Sequence, residues 1–125
     1  MAELPSVEAY LEGKDPDAVA LFRRFEDLVE RCGPSEPAPR SSIVYWKRKR
    51  IFAGAYLERR RLELNLDLFR EAEHPCVIAA FPHTKKVITH RLRITDGSQL
   101  DDAVAALVVE SYEEVGPGTR GLPRA

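Results

Sequence analysis

In Arg61-Leu62-Glu63-Leu64-Asn65-Leu66-Asp67-Leu68 every second residue is leucine and the residues between are polar. Successive side chains of a strand point to opposite faces, so this period of two describes a β-strand with one buried face and one wet face. Antiparallel sheets are the ones that commonly keep a face in water.

The segments on either side extend the pattern. Upstream, Ile43-Val44-Tyr45-Trp46 and Ile51 to Leu57 are rich in β-branched and aromatic residues, with Lys47-Arg48-Lys49-Arg50 as a polar turn between them and Glu58-Arg59-Arg60 as the next turn. Downstream, Lys86 to Ile94 alternates again, with Ile88, His90, Leu92 and Ile94 on the inward side and Arg91 and Arg93 on the other. Phe69 to Thr84 is ambiguous: Arg70 to Glu73 favours a helical turn, His74-Pro75 interrupts it, and Cys76 to Phe81 reads as strand or buried helix. The prolines at 37 and 39 make Ser35 to Ser42 an extended connector.

Helices bracket these strands. Ser6 caps a short turn over Val7 to Leu11. Asp15 and Pro16 then start a long helix whose Leu21, Phe22, Phe25, Leu28, Val29 and Cys32 recur at helical spacing until Gly33-Pro34 stops it. Ser98-Gln99-Leu100-Asp101 has the spacing of a capping box ahead of a second long helix, which Gly116-Pro117-Gly118 ends. The expectation is a single α+β domain over residues 1–125: an antiparallel sheet of four to five strands, an N-terminal and a C-terminal long helix packed on one face, and a frayed tail over 117–125.

With 125 residues, 44% of them hydrophobic and 31% charged, the chain is long enough for one core and has the composition of a soluble protein. Its longest apolar run, Cys76 to Phe81, is far short of the roughly 20 residues that cross a bilayer. Met1-Ala2-Glu3-Leu4 does not begin a secretory signal, which makes the cytoplasm the expected location and a membrane no expected partner. Cys32 and Cys76 have neither disulfide nor zinc spacing and read as small core residues; His74, His83 and His90 are too scattered to read as metal ligands, and no cofactor motif occurs.

Two features carry chemistry. From Arg40 to Arg61 there are eight basic residues against one acid, most of them in the two hairpin turns: Lys47, Arg48, Lys49 and Arg50 in one, Arg59, Arg60 and Arg61 in the other. Beside Tyr45, Trp46 and Tyr56, this is the composition of a phosphate-contacting surface, although turns are solvated in any case and these two lie at opposite ends of one strand. The other feature is His90, which strand parity turns inward. A buried imidazole is either hydrogen-bonded in the core or poised in a pocket. On the wet face, Glu63 and Asp67 are expected to pair with Arg91 and Arg93, which makes them poor general bases.

Arg50-Ile51-Phe52-Ala53-Gly54, His74-Pro75, the run from Phe81-Pro82-His83-Thr84-Lys85-Lys86 through His90 to Ile94, Gln99-Leu100-Asp101 and Ser111-Tyr112 follow one another in a telling order. Over about residues 7–116 the chain resembles an uncharacterised bacterial family of domains of unknown function, sometimes labelled a predicted transport protein. The resemblance implies the α+β fold, with His90 in a basic-x-x-x-His pattern and Tyr112 near the end of the last helix.

The leading functional expectation is a non-enzymatic module that holds a small anionic ligand between sheet and helices, lined by His90, His83, Trp46, Lys85, Lys86 and Arg48. The alternatives are a nucleic-acid or protein accessory domain using the basic turns, and an enzyme with His90 as general acid or base. An exposed sheet edge also admits a homodimer.

Overall fold

Leu62, Leu64, Leu66 and Leu68 are all fully buried, and the strand they form is one of the two central strands of a six-stranded antiparallel sheet. The computed structural model describes residues 2–118. In chain order the elements are α1 (Val7–Leu11), α2 (Pro16–Cys32), β1 (Glu36–Pro39), β2 (Val44–Lys47), β3 (Ile51–Glu58), β4 (Arg61–Leu68), β5 (Val77–Pro82) and β6 (Ile88–Ile94). A 3₁₀ turn (Gly97–Gln99) then leads into α3 (Asp102–Glu110), which continues as a π-helical turn over Ser111–Val115. Across the sheet the order is β1-β2-β3-β4-β6-β5.

The α+β class and the antiparallel sheet agree with the sequence, and the strand count does not. The proline-bearing connector is β1, and the ambiguous run supplies β5. Proline is tolerated on an edge strand when its missing N–H falls on the unpaired side. Here the Pro39 carbonyl faces outward and accepts from the Leu4 N–H at 3.0 Å, whereas Arg40 turns inward and donates to the Ile43 carbonyl at 2.8 Å. Pro37 shares the parity of Pro39, so neither proline costs a ladder bond to β2.

The helices also differ from two long flanking elements. Only α2 is long, capped by Asp15 at its start and closed by Gly33 as expected. The capping box belongs to Asp96 and Gln99 of the 3₁₀ turn, and Asp101 alone caps α3 by accepting from the Val104 N–H. The helical turn expected at Arg70 to Glu73 is absent, because the Ala72 N–H is drawn to the His90 ring instead of continuing a helix. Of the tail expected to fray, residues 119–125 lie outside the described residues.

Register sorts the side chains into two faces. Leu62, Leu64, Leu66 and Leu68 oppose Ile94, Leu92, His90 and Ile88 of β6, while Ala55 and Ala53 of β3 oppose Leu64 and Leu66. With Val44 and Trp46 of β2 they form the floor on which α2 and α3 pack. A shift in pairing between Trp46 and Lys47 turns both Phe52 and Ala53 into the core, where Phe52 meets Tyr112 edge-on at 5.4 Å. Among the described residues the opposite face of the sheet carries no helix, and the candidate site lies there.

Candidate functional site

Tyr45, Gly54, Asn65, Asp67 and Thr89 sit on the helix-free face by strand parity, as the polar partners of buried neighbours. Tyr45, Asn65, Asp67 and Thr89 underlie a groove of about 600 Å³. Gly54 lets the Tyr45 ring lie close across β3: a β-carbon there would approach Tyr45 Cδ1 to 3.1 Å and Ile43 Cδ1 to 3.2 Å. Ile51 and Phe81 line the groove with 37% and 38% of their surfaces exposed. Lys47, Arg50 and His83 add the basic groups.

The groove floor has one carboxylate, and it is occupied. Asp67 Oδ1 accepts from Thr89 Oγ1 at 2.7 Å, and Oδ2 accepts from Arg50 Nη1 at 2.9 Å, a nitrogen that also donates to the Ile51 carbonyl. With both side chains largely buried, at 19% and 13% exposed, Asp67 is a neutralised anchor rather than a free base. Among the described residues the cation lining the groove without a carboxylate partner is Lys47, and His83 lines the same groove.

The residues expected to share one pocket are divided between the two faces. His90 is only 1% exposed on the helix side; its Nε2 accepts from the Ala72 N–H at 2.8 Å, and its Nδ1–H donates to the Ile88 carbonyl at 3.2 Å. Both ring nitrogens are used internally, which corrects the expectation of His90 as a general acid or base and removes it from any ligand site. Trp46, also 1% exposed, is packed against Phe22 at 5.8 Å and Phe25 at 5.6 Å. The space between sheet and helices is packed core where a pocket was expected, and the groove lies on the other side of the sheet.

Arg48 is likewise structural. Its guanidinium stacks 4.3 Å from the Tyr112 ring and donates to the Tyr112 carbonyl at 2.9 Å, serving the carbonyl end of the last helix. The Lys49 and Arg50 N–H groups reach the Gly116 carbonyl at 2.9 and 3.1 Å, so the whole β2–β3 turn is tied to that helix end. Of the six expected ligand residues, His83 alone lines the groove. Lys85 and Lys86 share its β5–β6 loop, where Thr84 Oγ1 accepts from the Lys86 and Val87 N–H groups.

The two basic turns do not form one surface. They lie at opposite ends of the eight-residue β3, roughly 26 Å apart at strand rise. Several of their cations have local partners: Arg50 with Asp67, Arg61 with Glu58 at 3.3 Å and Arg60 with Asp15 at 3.6 Å. The expected cross-strand pairing is half realised. Glu63 meets Arg93 at 3.2 Å, whereas Asp67 stands opposite Thr89 and Asn65 opposite Arg91.

Sequence reasoning missed Tyr45, Ile51, Asn65, Phe81 and Thr89 as groove residues. The alternation of β4 and β6 marked the wet face, but only strand order brings Phe81 of β5 and Ile51 of β3 to the same groove. Burial raises both thiols, with nearby Asp101 adding to the effect at Cys76 and Glu113 at Cys32, so neither is an activated nucleophile. Among the described residues no cluster of His, Cys, Asp or Glu could hold a metal ion, and no helix is long and apolar enough to cross a membrane.

No curated protein and no solved structure matches the chain. A family model does, over residues 7–115, a span that runs from the start of α1 to the end of the π-helical turn and so takes in every strand and both faces of the sheet. The chain therefore belongs to the family described as Domain of unknown function (DUF5655).

Proposed function

We propose that this chain is a non-enzymatic binding module for a small anionic ligand, seated in the groove on the helix-free face of the sheet. The observation that carries the reading is the exposure of Ile51 and Phe81 in a concave site that also holds Lys47 and His83. Large apolar side chains exposed within one concave surface favour a ligand with an apolar or aromatic body. Lys47, which has no ion pair among the described residues, favours a carboxylate or phosphate on that body. A non-catalytic role is supported by Asp67, whose two oxygens are both engaged, and by His90, which is sealed in the core.

Thermal-shift screening against nucleotides, inorganic phosphate and aromatic carboxylates tests the proposal. A ligand present at 100 times its Kd stabilises by about 2.7 kcal/mol, enough to raise Tm by several degrees. Lys47→Glu and Phe81→Ala change exposed side chains, so each is expected to abolish the shift while leaving the unliganded Tm near its original value. A screen in which nothing shifts Tm, or a shift that survives both substitutions, overturns the proposal.

A further inference from the structure

β5 is an edge strand: β6 pairs with its inner side, and among the described residues no strand pairs with its outer side. An unpaired edge is a template for another chain, and proteins guard such edges with charge, proline or a covering segment. The opposite edge is guarded in this way, since β1 contains Pro37 and Pro39 and the chain near Glu3 bridges to Arg40 beside it. From Val77 to Pro82, β5 has no charged residue; its single proline stands at its last position, its pairing with β6 shifts between Val77 and Ala79, and its Ile78 is 46% exposed.

Backbone parity defines what the edge offers. The His83 N–H donates inward to the Val87 carbonyl at 2.8 Å, so Phe81 and Ala79 also face β6 and the Ala80 N–H and carbonyl face outward. The flanking charges are asymmetric. Exposed Glu71 and Glu73 precede the strand, and exposed Lys85 and Lys86 follow it.

We infer that the outer edge of β5 pairs with the same edge of a second copy of this chain, antiparallel about a two-fold axis at Ala80. In that register the two Ala80 residues exchange both N–H to carbonyl bonds; Ile78 lies at the shift in pairing between Val77 and Ala79 and contributes exposed apolar surface rather than a ladder bond. Antiparallel self-pairing sets the acidic segment of each copy against the basic loop of the other, and symmetry does so twice. A parallel arrangement would set like charges together. This charge complementarity identifies a second copy as the occupant of the edge, and the inference stands independently of the ligand reading.

Sedimentation equilibrium on the full chain tests it. The expected result is a reversible dimer that Ala80→Pro reduces to monomer by removing the central donor. Because proline within a strand risks the fold, charge reversal gives a second test on exposed residues. Glu73→Lys alone and Lys85→Glu with Lys86→Glu are each expected to raise the dimer Kd by about tenfold at low salt, with circular dichroism melting unchanged. Glu73→Lys combined with Lys85→Glu is expected to restore it. A chain that stays monomeric up to about 1 mM, where even weak isologous pairing registers, overturns the inference, as does a dimer whose Kd none of these substitutions moves.

Discussion

His90→Ala tests whether the histidine is a packed core residue. Truncation removes the acceptor of the Ala72 N–H and the donor to the Ile88 carbonyl in a site that is 1% exposed. Leaving one buried donor unsatisfied costs about 1–3 kcal/mol, and loss of the ring from a packed site adds about 2 kcal/mol on the scale of large-to-small core substitutions. The expected destabilisation is therefore about 3–5 kcal/mol, or a fall in Tm of roughly 10–20 °C for a domain of this size. Trp46, the only tryptophan, is buried in the same core and reports unfolding by its fluorescence in urea. His90→Leu separates the two contributions, since it keeps most of the volume and none of the hydrogen bonding; it should recover the packing part alone. A His90→Ala protein within about 0.5 kcal/mol of the parent, the range of ordinary surface substitutions, would refute the assignment and return His90 to the candidates for a solvent-open site.

Three further outcomes follow from other parts of the fold. Gly116→Ala should lower stability by about 1–3 kcal/mol through overpacking, because a β-carbon there would press on the Tyr112 carbonyl and come within 2.6 Å of Arg48 Cδ; an unchanged urea midpoint would show that the β2–β3 turn is not held against the helix end. Arg93→Ala should lower the urea midpoint, since it leaves the 2%-exposed Glu63 without its partner, and Arg93→Lys should restore only part of it because the bidentate geometry is lost. The Asp101 carboxyl is held below the usual carboxylate range chiefly by the Val104 N–H with the His74 ring contributing, and that of Asp96 chiefly by the Ser98 N–H. A depressed folded-state pKa contributes stability that is complete above the ordinary value near 3.9 and is lost as pH falls through the lower folded value. The urea midpoint should therefore decline below about pH 4, and Asp101→Asn, which keeps a capping oxygen without the titration, should flatten that decline; an identical slope in the variant would contradict the assignment.

Local signals written into a few consecutive residues were legible without any structure. The leucine alternation of 62–68, the Asp15-Pro16 start and Gly33 stop of α2, and the turn at 47–50 each depend on interactions within about four residues, and each is where the sequence places it. β1 was hidden because proline reads as a breaker unless one knows which side of the strand is paired, which depends on β2 and on Leu4. β5 was hidden because Cys76 to Phe81 is apolar on both parities, a pattern that helix and strand share.

The candidate site was the least legible part, and the reason is geometric. Period-two alternation told that His90 points inward and Asp67 outward, but not what fills the inside. Trp46, Phe22, Phe25 and the leucines close that space, and the Ala72 N–H takes the histidine's lone pair from a loop 18 residues away. The sequence by itself determined the two-faced sheet, the long capped helix and the location of its cations in turns, because periodicity and capping act between near neighbours. Tertiary structure alone decided which face is sealed, that β5 lies at an edge, and that Tyr45, Ile51, Phe81 and His83 meet in one groove, because each depends on strand order and register between residues far apart in the chain.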